Sequence, residues 1–261
     1  MRALFTAATG MEAQQLRIDT VANNLANVTT TGFKRARANF QDLFYDTVQA
    51  PGAESATGEA LPAGVQIGHG VRLASLGRIY AQGERTNTGR NLDLAIDGDG
   101  FFQLQRAGGE TVYTRDGSFQ VNRDGVLVSS QGFEVVPSIQ IPTDAIQITI
   151  LADGTVSVLT GQSNLPTEVG QIEVARFVNP VGLLAAGGNV LVPTEASGEP
   201  EVGTADADGF GAISQGFLES SNVNIAEELV EMILAQRAFE VSSRVIQTGD
   251  EMLRTASQLQ R

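Results

Sequence analysis

The sequence predicts a mixed α and β fold, in which long N- and C-terminal helices pair as a coiled coil and an antiparallel β-domain is inserted between them. Leu4, Met11, Ile18 and Leu25 recur every seven residues near the start, and Ile225, Met232, Phe239, Ile246 and Leu253 do the same near the end. A strict seven-residue apolar spacing keeps one narrow stripe facing a partner helix. Between these segments apolar and polar residues alternate, and Asp-Gly pairs punctuate the runs, which is the pattern of hairpins. A chain whose most helical segments lie at its two ends reads as an assembly subunit more readily than as an enzyme.

The first helix is expected over about residues 4–27, ended by the β-branched Thr29-Thr30-Thr31 and by Gly32. Asn23, Asn24 and Asn27 cluster at its C-terminal end. Two readings stay open for them, a helix-ending device and side-chain hydrogen bonding to a neighbouring subunit. Residues 46–64 then show no sustained period and are rich in small, turn-forming residues. So long a stretch is either a flexible loop or an extended interaction segment, and Asp46, Gln49, Pro51, Gly52, Ser55, Gly58, Leu61 and Pro62 are its candidate rigidity residues.

Period two takes over next. Leu92, Leu94 and Ile96 alternate, Asp97-Gly98-Asp99-Gly100 turns the chain, and Phe101-Phe102-Gln103-Leu104 continues. Hairpins are expected with turns at Asn122-Arg123-Asp124-Gly125 and at Asp153-Gly154, and further strands at 171–178 and 189–192.

The last helix has a marked start. Asn224 followed by Glu227 has the spacing of a capping box, with Asn in place of Ser or Thr. Glu227, Glu228 and Glu231 precede Arg237, Arg244 and Arg254, the order that complements the helix dipole. About 30 residues are expected at 1.5 Å rise each, with Gly249 as a local weak point. The apolar residues of 229–234, including Leu229 and Ile233, spread over roughly 200° of helix surface, more than one partner helix covers. The ends are therefore expected to be largely disordered in a monomer and to fold on assembly. Domain edges are expected at 1–33 with 222–261 for the helical part, 34–88 with 207–221 for a linker part, and 89–206 for the β-domain.

Charge and composition narrow the functions. The net charge is −13, and residues 86–210 hold 16 acids against 5 bases. An acidic body repels phosphate backbones, which argues against nucleic acid as a partner. The 261 residues include no cysteine and one histidine, His69, flanked by glycines. No thiolate chemistry is possible, and a zinc site would have to be mostly carboxylate. Asp93, Asp97 and Asp99 lack the spacing of a calcium loop and read as turn residues. No phosphate-cradling motif occurs. The expectation is no catalytic residue, no cofactor and no metal. Lys34-Arg35-Ala36-Arg37 is a small basic cluster, and two readings stay open for it, a solvated face as for most such clusters and a contact with the acidic body of a neighbour. No apolar run is long enough to span a bilayer, and no cleavable targeting signal is visible.

Three motifs carry a resemblance. Ala22-Asn23-Asn24-Leu25-Ala26-Asn27 with Thr31-Gly32-Phe33-Lys34 resembles the N-terminal signature of the bacterial flagellar rod and hook axial proteins. Residues 88–102, Thr-Gly-Arg-Asn-Leu-Asp-Leu-Ala-Ile-Asp-Gly-Asp-Gly-Phe-Phe, are similar to their central motif. Ser221-Asn222-Val223-Asn224-Ile225 through Gln236-Arg237-Ala238-Phe239-Glu240 resembles their C-terminal motif, with Phe239 where Tyr is common. The length, Tyr113–Phe119 and the stretch from Phe40 to Gly68 look most like the distal-rod members. The resemblance implies a subunit of a rigid, hollow, helical shaft in the basal body, crossing the periplasm to the outer membrane and transmitting motor torque to the hook. It implies export through the flagellar type III apparatus, termini lining the inner tube, and residues 46–64 stiffening contacts. The implied partners are other copies, the proximal rod, the hook, and the P- and L-ring proteins. Subunit contacts fall to Leu4, Met11, Ile18, Asn23, Asn24, Leu25, Asn27, Ile225, Leu229, Met232, Ile233, Phe239, Ile246 and Leu253. The alternatives are a proximal-rod or hook-type subunit, or a secreted binding protein with coiled-coil oligomerisation ends.

Overall fold

A computed structural model describes residues 2–50, 63–161 and 165–259. The chain divides into two compact units, one formed by Met1–Ala26, Ala36–Gly77 and Asn224–Arg261, the other by Asn27–Arg35 and Arg78–Val223.

In the first unit α1 (Arg2–Ala26) leads to strands β1 (Ala36–Asp42), β2 (Tyr45–Gln49), β3 (Val65–Gly68) and β4 (Val71–Arg78), and α2 (Ile225–Leu259) closes the chain. The start of α2 follows from Asn224, whose Oδ1 accepts from the backbone N–H of Ala226 at 3.0 Å, the expected cap. At 35 residues α2 is longer than expected and outlasts the 25-residue α1. β1 pairs with β4, and β2 pairs with β3. The second pairing revises the reading of residues 46–64. Their first part is strand, with Asp46 opposite Ile67 and Thr47 opposite Gln66, and a bulge before Gln49 meets Val65. Thr47 and Val48 suit a strand, but the long insertion before the partner hides the alternation. Pro51, Gly52, Ser55, Gly58, Leu61 and Pro62 lie outside the described residues.

The second unit carries β5 (Arg85–Asn87), β6 (Leu94–Asp97), β7 (Phe101–Gln105), β8 (Thr111–Thr114), β9 (Phe119–Val121), β10 (Leu127–Ser129) and β11 (Glu134–Val135). They continue into β12 (Ala145–Ile150), β13 (Thr155–Thr160), β14 (Thr167–Gln171), β15 (Glu173–Arg176), β16 (Leu184–Gly187), β17 (Val190–Val192), β18 (Glu201–Thr204), β19 (Ala212–Gln215) and β20 (Phe217–Glu219). The largest sheet has nine strands, with β7 near its centre pairing β8, β11 and β15. The hairpins β9–β10 and β12–β13 form around the two expected turns, in antiparallel register. The turn at 97–100 does not close a hairpin. β6 pairs with β19 instead, and Asp99 O accepts from Gly211 N–H at 2.8 Å. Gly98 and Gly100 both have positive φ, at 115° and 145°, so the turn hands the chain to another sheet.

Strand alternation sorts β7 between two cores. Phe102 and Leu104 join Leu94, Ile96, Phe119 and Leu127 in the larger cluster, while Phe101 joins Tyr113, Phe177 and Leu191 in a smaller one. The Phe102 and Phe119 rings meet edge to face at 5.1 Å.

Candidate assembly site

The helical unit is built from one stripe on each helix. On α1, Leu4, Ala7, Met11, Gln14, Ile18, Val21 and Leu25 are buried or half-buried, a 3-4 spacing that includes all four expected seam residues. On α2 the stripe is Glu228, Met232, Ala235, Phe239, Ser242, Ile246 and Gly249. The helices run antiparallel. Arg17 pairs with Glu231 at 3.1 Å, Gly10 faces Ser242, and Leu4 faces Gly249. A Cβ on Gly249 would sit 2.6 Å from Leu4 Cδ2, so this glycine is the hole that receives Leu4. Small or polar residues fill the positions between Met232, Phe239 and Ile246, which is why the apolar heptad alone showed only half the stripe. Ile225 and Leu253 fall outside the pair, because in this antiparallel register the shorter α1 runs out before either end of α2 is reached. Both are exposed, as are Leu229, Val230, Ile233 and Leu234.

Asn24 is the buried polar residue of α1. Its Nδ2 donates to Ala36 O and its Oδ1 accepts from Ala36 N–H, both at 2.9 Å, while Nδ2 also donates to Glu228 Oε2 at 3.2 Å. The side chain thus pairs with the returning backbone as a strand would. Of the two readings for the asparagine cluster, neither describes Asn24. Asn27 takes the helix-ending role, its Oδ1 accepting from Thr30 Oγ1 at 3.1 Å. Asn23 is exposed. On the hairpin, Asp46 pairs with Arg2 at 2.8 Å across exposed side chains, and Phe44, Tyr45, Val48, Val65 and Ile67 present apolar surface.

The second unit holds a charge cluster that the sequence reading misplaced. Lys34 is not on a solvated face; it is 2% exposed, and its Nζ donates to Glu219 Oε1 at 2.5 Å and to Ala81 O at 2.8 Å. Glu219 is fully buried, accepts from Gly83 N–H at 2.9 Å, and has Arg115 Nη1 3.6 Å from its other oxygen. Arg115 donates to Gly98 O at 2.7 Å and lies 5.5 Å from the Phe101 ring centre. Burial pulls the Lys34 ammonium below the ordinary lysine value, against the opposing pull of Glu219. Burial also lowers Arg115. A lone Lys, Arg and Glu about 80 to 185 residues apart give no sequence signal that they meet. Asn222 binds the backbone beside this cluster, accepting from Arg35 N–H at 2.8 Å and donating to Ile79 O at 2.8 Å and to Ala81 O at 3.0 Å.

The only histidine, His69, is exposed in the turn between β3 and β4. Asp93 accepts from Thr88 Oγ1 at 2.6 Å and Asp97 from Arg85 Nη1 at 2.6 Å, as turn carboxylates do. Among the described residues, no group of three or more His, Asp or Glu could hold a metal ion.

Residues 4–34 match the family described as flagella basal body rod protein, residues 95–158 the flagellar hook protein FlgE/F/G D1 domain, and residues 214–259 the flagellar basal body rod FlgEFG protein C-terminal family. The chain is 49% identical over 263 residues to the flagellar basal-body rod protein FlgG of Borreliella burgdorferi, covering 100% of this chain and 99% of that one. It is 46% identical over 260 residues to FlgG of Caulobacter vibrioides, covering 99% of each. Against FlgG of Bacillus subtilis the identity is 38% over 266 residues, with both chains covered in full.

Proposed function

The chain belongs to the FlgG family of flagellar basal-body rod proteins, and from that premise we propose that it is a distal-rod subunit that self-assembles into a rigid, hollow, helical shaft carrying torque to the hook. It is a structural subunit of the flagellar rod and not an enzyme. The observation that carries the assembly reading is the apolar surface α1 leaves uncovered on α2, where Ile225, Leu229, Val230, Ile233 and Leu234 are all exposed. Surface of this size and chemistry is unstable against water and fits copies of the same chain. The α1–α2 stripe acts as a coiled-coil seam, with Leu4, Met11, Ile18, Leu25, Met232, Phe239 and Ile246 inside it, while Ile225, Leu229, Ile233, Leu253 and Asn23 face other subunits. Asn27 at the helix end and Asn24, which ties α1 to the returning backbone at Ala36, support that surface.

Residues 46–64 add a second layer of contact, supported by the apolar face of the β2–β3 hairpin. The chain works in the basal body, as part of an axial assembly that includes other flagellar proteins; export through the type III apparatus, passage through the periplasm and contact with the P- and L-ring proteins extend the same reading. No described helix is long and apolar enough to cross a membrane.

The test is to replace Ile233 with Asp, which removes apolar cover from the open face while leaving the α1 stripe untouched, and to look for rods by electron microscopy of basal bodies. Loss of rods, with the purified chain keeping its helix content, is expected; intact rods would sink the reading. Deleting residues 51–62 should leave rods that bend, and a straight, equally stiff rod from that deletion would remove the segment's stiffening role.

A further inference from the structure

Residues 86–210 contain five basic residues, all arginine, among 16 acids, and two of the five converge on one pocket. This pocket of the second unit, about 200 Å³, is lined by Arg115 and Arg176 together with Tyr80, Phe101, Phe177 and Val178. Its walls are aromatic, with Phe101 edge to face against both Tyr80 at 5.7 Å and Phe177 at 5.9 Å.

Two buried donors in these walls have nothing to bind. Arg115 is 5% exposed and spends its terminal nitrogens on Ile96 O and Gly98 O, but its Nε has no acceptor. The Tyr80 hydroxyl is closed off from solvent and is likewise without a partner. Unsatisfied buried donors are uncommon in folded proteins and call for an acceptor. Carboxylates are already nearby, since Asp99 lines the pocket, Glu201 holds one edge of Arg176 at 2.8 Å, and Glu219 stands 3.6 Å from Arg115. None of them accepts from either orphan donor; Glu219 Oε2, itself without a hydrogen-bond partner, faces Arg115 Nη1 at 3.6 Å and leaves Nε and the Tyr80 hydroxyl unanswered. A carboxylate brings two acceptor oxygens and no donor, which is the complement of what these walls lack.

The rim narrows the source of that acceptor. Val178 is 83% exposed, and Val181 and Leu184 beside it are also exposed. Apolar rim surface gains from being covered by protein and gains nothing from a dissolved ion. The partner with the required chemistry is this chain itself, with 30 acidic residues and a net charge of −13. We propose that this pocket is a socket for an Asp or Glu side chain of a second copy of the chain. It would give two acidic bodies one attractive contact amid general repulsion, and so fix register between subunits. This rests on the self-assembly reading above.

The chain has three tyrosines, so the full-length protein carrying 3-fluorotyrosine gives three fluorine resonances, with Tyr80 assigned by Tyr80→Phe. Below the assembly concentration, acetate should move the Tyr80 resonance saturably, and acetamide, its neutral counterpart, should not. Tyr80→Phe and Arg176→Gln should each raise the concentration at which the chain sediments as polymer by about fivefold, the effect of losing one hydrogen-bonded contact. An unmoved resonance overturns the socket, as does equal movement by acetamide. Acetate binding with wild-type assembly of both variants would mean a site for free carboxylates and would also overturn it. A wild-type chain that never sediments would defeat the self-assembly reading and the socket with it, whereas assembling wild type beside unaffected variants defeats the socket alone.

Discussion

Replacing Glu219 with Gln should destabilise the β-rich unit more than any single surface change, because one carboxylate there serves two buried cations. The Lys34 and Glu219 side chains are 3% and 0% exposed, and Arg115 is 5% exposed. Removing the charge strands Lys34 and Arg115 in a poorly solvated site, where breaking a buried pair from one side costs roughly 3–5 kcal/mol. Gln keeps an oxygen that can still accept from Gly83 N–H, so the loss reports charge and not merely a missing acceptor. With a urea slope of about 2–3 kcal/mol per molar, the midpoint should fall by roughly 1–2.5 M. The assay is urea unfolding followed by near-ultraviolet tyrosine circular dichroism, since Tyr80 and Tyr113 both lie in this unit. Lys34→Met should cost less, because it removes a cation that was costly to bury and leaves Glu219 with Arg115. The double variant should be less destabilised than the sum of the two, by about 0.5–3 kcal/mol of coupling. A loss below about 1 kcal/mol for Glu219→Gln, the scale of exposed pairs such as Arg237–Glu240 at 3.0 Å, would refute the claim that this buried cluster anchors the β-rich unit.

The same lysine predicts a pH effect. Its folded value is lowered below 10.5, so in the alkaline range just under 10.5 the unfolded chain binds more protons than the folded one, and stability rises with pH there. Comparing wild type with Lys34→Met by urea unfolding should show a difference that shifts in favour of wild type as pH climbs toward 10.5; a flat difference contradicts it. Gly32→Ala should cost at least about 2 kcal/mol, because φ is +66° and a Cβ would lie 2.8 Å from the backbone of Arg115 and Asp116; thermal melting at or above wild type would count against this. Asn24→Ala strips partners from Ala36 and Glu228 and should lower stability by about 2–4 kcal/mol, with earlier hydrogen exchange at the Ala36 amide as its local signature.

What the sequence made readable was whatever is local. The two helices, the Asn224 cap and the turns at 122–125 and 153–154 each depend on residues a few positions apart, and all are present. What failed was pairing at a distance. Asp97–Gly100 has the composition of a hairpin turn, yet β6 finds its partner more than 100 residues later in β19. Tyr45–Gln49 finds its partner only after a long insertion. Lys34 looked solvated because its neighbours in sequence are charged, while its environment is supplied by Glu219 and Ala81. The apolar heptads found Leu4, Met11, Ile18 and Leu25 but could not reveal that Ala235, Ser242 and Gly249 complete the facing stripe, since small residues carry no apolar signal.

The two units differ in how completely each satisfies itself, and that difference bears on when each folds. The β-rich unit encloses Phe102, Phe119, Leu94, Ile96 and Leu127 almost fully and pairs Lys34 with Glu219 inside itself, so its core closes without a second chain. The helical unit is the opposite case. Its seam mixes Met and Ile with Ala, Ser and Gly, while large side chains stay exposed along α2. Helices packed this sparingly draw most of their stability from tertiary burial that a lone pair does not provide. On the proposed assembly such a subunit gains its final rigidity where other copies cover Leu229, Ile233 and their neighbours. Ordering and stiffening are then one event, since the surface that makes the single chain weak is the surface that makes the polymer strong.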